Sequence, residues 1–77
     1  MITESPAGKT EKILELENRR KIFEIVKKYS GCHFRYLERK SGIPYGTLKY
    51  HLNFLVRHNI LIQEKENNSV RYFPKEF

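Results

Sequence analysis

The segment Lys40-Ser41-Gly42-Ile43-Pro44 constrains this chain more than any other. It separates two stretches with helical periodicity. The first, His33 to Lys40, directs Phe34 and Leu37 inward, with Tyr36 nearby. The second runs from about Tyr45 to His58. At about 100° per residue, Leu48, Leu52 and Leu55 fall on one face, flanked by His51 and Val56. Glycine stops a helix, and proline suits the start of one. A link this short holds two helices at a steep angle rather than side by side.

The flanking segments complete the outline. Asn18 is a candidate N-cap for a preceding helix with Ile22, Phe23, Ile25, Val26 and Tyr29 at helical spacing. Arg19, Arg20, Lys21, Glu24, Lys27 and Lys28 fall on its polar side, and Ser30-Gly31 ends it. Further upstream, Thr10 can cap a segment carrying Ile13, Leu14 and Leu16. No strong breaker separates the two, so one long helix and two pieces are both open. Residues 1–9 read as a flexible tail. After Asn59 the period changes. Residues 60–66 read as a strand, Asn67-Asn68-Ser69 as a hairpin turn, and residues 70–73 as a returning strand closed by Pro74. The expected fold is mainly α with a small β-hairpin: a three-helix core plus a wing, occupying residues 10–77. With 77 residues the chain is one domain with a thin core.

Charge points to a partner. The chain carries a net +6. Residues 1–16 hold Lys9 and Lys12 against Glu4, Glu11 and Glu15, a net −1, which leaves +7 on residues 17–77. A small domain with this balance attracts polyanions. No acidic residue lies between Arg39 and Gln63, a span that contains Lys40, Lys49 and Arg57. A helix-turn-helix frees its second helix to enter a major groove while the first braces it. The start of helix 45–58 offers Pro44, Tyr45, Gly46 and Thr47, where free backbone N–H groups favour phosphate. Its outward side offers Lys49, Tyr50, Asn53 and Arg57. Asparagine can read adenine and arginine can read guanine. In the hairpin, Lys65 and Arg71 flank a polar tip that includes Asn68, suited to a backbone or minor groove. Glu64 and Glu66 weaken that reading of the hairpin, whose other role is to complete the core.

Residues 18–74 resemble a winged helix-turn-helix regulator of the archaeal and bacterial type related to the ArsR and MarR groups. The run Ile43-Pro44-Tyr45-Gly46-Thr47-Leu48-Lys49-Tyr50-His51-Leu52 is similar to the start of that family's recognition helix. His58-Asn59-Ile60-Leu61 resembles its exit into the wing, with Asn59 where glycine is common. The resemblance implies that Pro44, Tyr45, Thr47, Lys49, Tyr50 and Asn53 face double-stranded DNA, with wing contacts from Lys65 and Arg71. It also implies a homodimer, for which residues 10–17 are the candidate contact.

Other functions find little in the sequence. There is no Asp, no Gly-rich phosphate loop and no nucleophile pattern, so no enzyme is expected. Cys32 is the single cysteine, which excludes an internal disulfide and the cysteine motif of some metal sensors. It reads as a small semi-buried residue rather than a redox sensor. His33, His51 and His58 lack metal-site spacing, and His51 reads as a packed, hydrogen-bonded histidine. No cofactor, metal or small-molecule ligand is indicated. No run reaches the length of a membrane span or a signal peptide, and a cytoplasmic location is expected. The rival function is a protein-interaction winged helix, which would use Phe54 or Tyr36. RNA binding is a further rival, without the usual aromatic sheet.

Overall fold

Apolar residues spaced three and four apart make α1 (Pro6–Lys28), α2 (Phe34–Ser41) and α3 (Tyr45–Arg57). Strands β1 (Cys32–His33), β2 (Leu61–Glu66) and β3 (Ser69–Pro74) form one antiparallel sheet in the order β1-β3-β2. The computed structural model describes residues 6–75, with side chains described for 15–75. Helix α1 is one element, so the Thr10 and Asn18 starts merge. It begins at Pro6, which places residues 6–9 in the helix rather than in a tail. Proline suits a first helical turn because its missing N–H has no partner there. Residues 1–5 lie outside the described residues.

The core is one cluster drawn from every long element. Ile22 and Val26 of α1, Leu37 of α2, Ile43 of the turn, Leu48, Leu52 and Leu55 of α3, Leu61 and Tyr72 are buried together. Each fully buried aliphatic side chain contributes roughly 1.5–3 kcal/mol. Burial also pushes the Tyr72 phenol above its ordinary range, with Cys32 and Tyr45 adding to the shift.

The helix ends are built as their residues suggest. Gly42 adopts φ 71 and its N–H donates to the Glu38 carbonyl at 3.1 Å. The hydroxyl of buried Ser41 accepts from the Ile43 N–H at 3.1 Å, and Lys21 Nζ donates to the Ser41 carbonyl at 3.0 Å. The end of α2 is thereby tied to α1. Helix α3 ends in a Schellman motif. Asn59 has φ 62, its N–H donates to the Val56 carbonyl, and the Ile60 N–H donates to the Leu55 carbonyl at 2.9 Å.

Two features depart from the sequence reading. His33 does not open α2 but pairs with Arg71, while Cys32 pairs with Tyr72. The wing is thus the main part of a three-stranded sheet. This third strand spans two residues, too short for a periodic signal. The hairpin turn is also tighter than expected. Ser69 pairs with Glu66, leaving Asn67 and Asn68 as the turn, with Asn67 at φ 51. A positive φ at that position matches the twist of the strands it joins.

Candidate nucleic-acid interface

The buried side of α3 determines its exposed side. With Leu48, His51, Leu52 and Leu55 buried, Tyr45, Gly46, Thr47, Lys49, Tyr50, Asn53 and Arg57 are all exposed. Pro44 is the N-cap and carries no side-chain cap. The first turn therefore keeps its N–H groups uncapped by a side chain, which favours an anion there. A Cβ on Gly46 would meet nothing within 4 Å, so the helix start is open. Tyr45 and Tyr50 are 56% and 55% exposed.

Residues spaced four apart align along the helix. Tyr45, Lys49 and Asn53 form one wall of a groove of about 310 Å³, and Gln63, Lys65, Val70 and Tyr72 of the sheet form the other. Phe34 closes one end, its ring centroid 5.2 Å from that of Tyr45. The Lys49 ammonium sits 5.8 Å from the Tyr45 ring centre. Among the described residues no ion pair involves Lys49, Arg57 or Lys65.

The wing residues divide between two faces. Lys65 lies on the α3 side with Gln63. Arg71 is opposite Glu64 and forms an ion pair with Glu66, Nε to Oε1 at 3.8 Å. Strand side chains alternate, so Lys65 and Arg71 do not flank the tip together as the sequence suggested. Asn68 lines a second hollow with His33, Arg35 and Ser69. Arg35 is exposed at the start of α2, where its charge alone gives no sign in the sequence that it lies beside the hairpin tip.

Behind α3, Arg19 is the residue most misjudged from sequence. Expected on the polar side of α1, it turns inward, with its side chain 18% exposed. Its Nε donates to His51 Nδ1 at 3.2 Å, and its guanidinium lies 3.6 Å over the Phe54 ring. Glu15 holds it from the other side at 3.7 Å. His51 is 1% exposed, and burial lowers its pKa, with the nearby Arg19 charge acting in the same direction. A packed, hydrogen-bonded histidine was expected, and that is what stands here. Phe54 packs toward α1 and also against His58 at 4.2 Å, while Tyr36 meets Tyr29 edge-on at 5.3 Å. Cys32 is half-buried, and burial raises its thiol pKa, opposite to what a reactive cysteine needs.

Comparison with known proteins agrees with this architecture. The family described as an N-terminal HTH domain, HTH_HVO_0163_N, matches residues 16–77. The chain belongs to this helix-turn-helix family. A protein of Methanocaldococcus jannaschii, named an uncharacterized HTH-type transcriptional regulator, is 33% identical over 66 residues. That match covers 86% of this chain and 17% of the relative, so the chain spans a small part of the relative's length. No solved structure matches. Among the described residues, no helix of this HTH domain is long and apolar enough to cross a membrane, and no cluster of candidate metal ligands occurs.

Proposed function

We propose that this HTH domain is a sequence-specific double-stranded DNA-binding module of a cytoplasmic transcription regulator of ArsR or MarR kinship. The observation that carries the reading is the groove in which Tyr45, Lys49 and Asn53 of α3 face Lys65 of the wing, with no carboxylate among its lining residues. Helix α3 enters the major groove. Asn53 and Arg57 meet base edges, while Lys49, Tyr50 and the backbone at Tyr45, Gly46 and Thr47 meet phosphates or bases near the helix start, next to Pro44. Lys65 and Asn68 meet the backbone beside the groove. Arg71 contributes less than Lys65, because it lies on the opposite face of the wing, beside Glu66. Phe54 and Tyr36, which a protein-docking role would need, are half-buried against other side chains of the chain, which favours the DNA reading.

We further propose a homodimer through the first half of α1. Leu16 is 65% exposed there. Ile13 and Leu14 lie outside the residues whose side chains are described. A Leu16→Glu variant should sediment as a monomer under conditions where the wild type sediments as a dimer; a wild-type monomer would remove this part of the reading.

The test of DNA binding is a titration of random-sequence duplex by fluorescence anisotropy at two salt concentrations, for wild type, Lys49→Ala and Arg57→Ala. Binding should be salt-sensitive. Each variant that loses a phosphate contact should lower the slope of log affinity on log salt by about 0.9. Absence of wild-type binding at low salt sinks the reading and favours a protein partner.

A further inference from the structure

We infer that Arg19 is a positioning residue for the recognition helix, and that it does so only while His51 is neutral. The inference rests on the DNA-binding reading above and names a way in which that binding is controlled. Three contacts converge on one guanidinium. Its Nε donates to His51 Nδ1 at 3.2 Å, its plane covers Phe54 at 3.6 Å, and Glu15 lies 3.7 Å from its Nη2. His51 and Phe54 sit on successive turns of α3. Arg19 therefore fixes the helix at two places, which restrains rotation about its axis. The His51 ring in turn packs edge-on against Tyr50, with centroids 5.2 Å apart, and Tyr50 is on the exposed DNA-facing side. A displacement of His51 thus reaches the binding surface directly.

The contact requires a particular protonation state. Because Arg19 always donates, Nδ1 must carry a lone pair, and the His51 proton resides on Nε2. A second proton would remove the acceptor and place two cations side by side in a buried setting. Among the described residues, the charged groups that act on His51 are Arg19 and Glu15, both from α1. Glu15 is ion-paired with Arg19 and half exposed, so it offsets only part of that repulsion. Acid therefore separates Arg19 from His51 and frees α3.

The experiment follows DNA affinity and the His51 ring signals by NMR from pH 8 to pH 5, for wild type, Arg19→Ala, Arg19→Lys and Arg19→Gln. Random-sequence duplex is the probe. At pH 8, Arg19→Ala and Arg19→Lys should both weaken binding, roughly tenfold, because lysine keeps the charge but not the planar donor and stack. Wild-type affinity should fall toward pH 5, whereas Arg19→Ala should show no such fall. In the absence of DNA, His51 should titrate at higher pH in Arg19→Gln than in wild type, as a nearby cation is removed. Equal affinity of wild type and Arg19→Ala, or full activity of Arg19→Lys with an unchanged pH profile, overturns the inference. A wild type that binds no duplex overturns the regulator reading instead, and the NMR titration without DNA still decides whether Arg19 controls His51.

Discussion

Replacing Gly31 by alanine tests how the sheet is joined to the helices. Gly31 follows α1 with φ 85, and its N–H donates to the Tyr72 carbonyl at 2.8 Å. This bond leads directly into the pairing of β1 with β3. The left-handed conformation costs an L-residue about 1–2 kcal/mol. Alanine regains about 0.4–1 kcal/mol by restricting the unfolded chain. The side chain adds a second cost, because a Cβ at this position would lie 3.1 Å from Phe73 Cε2 and 3.5 Å from Cζ. The ring must then move by a few tenths of an ångström, and an off-rotamer shift costs about 0.5–1.5 kcal/mol. The net expectation is a loss of roughly 0.5–3 kcal/mol. In a domain of this size each kcal/mol lowers the melting temperature by roughly 4–8 °C. Thermal unfolding followed by circular dichroism measures it directly. The double variant Gly31→Ala, Phe73→Ala should show less than the sum of the single effects, since the clash is gone and only the backbone cost remains. A Gly31→Ala protein that melts at or above the wild-type temperature refutes the reasoning.

Three further expectations concern the end of α3, the buried His51 and Cys32 of β1. Asn59→Gly should stabilise the domain by a few tenths to about 1 kcal/mol in urea unfolding, because Asn59 occupies the left-handed position of the Schellman motif where glycine carries no Cβ penalty. Stability should also depend on pH through His51. Its folded pKa is lowered from 6.5, so the unfolded chain binds the proton more readily; the contribution is complete above that value and declines as pH falls below it, which His51→Gln should reduce in an acid titration of stability. Cys32 should react slowly with iodoacetamide at neutral pH in the folded protein and faster in denaturant, because burial keeps it as the thiol.

Most of the candidate interface was legible before the fold was known. Once Leu48, Leu52 and Leu55 are assigned to the core, geometry alone sends Lys49, Asn53 and Arg57 outward. The exit at Asn59 was similarly visible, as a residue that tolerates positive φ at a position where glycine is common. Arg19 was not visible. Its sequence neighbourhood is that of a solvated charge, and only the approach of Phe54 and His51 from a distant segment makes an inward guanidinium favourable. Arg71 was misjudged for a related reason. Its face depends on register, and a turn of Asn67 and Asn68 without Ser69 shifts the pairing that determines which residues share a side.

The sequence by itself determined the three helices, the sharp link at Ser41 to Pro44, the hairpin and the basic exposed side of α3. These depend on periodicity and on glycine, proline and asparagine, whose effects act within a few residues. Tertiary structure alone decided the pairing of Cys32 and His33 with β3, the separation of Lys65 from Arg71, the groove between α3 and the wing, and the hold of Arg19 on His51. Each of these joins residues far apart in the chain, and the free energy that favours it exists only once the core has brought them together.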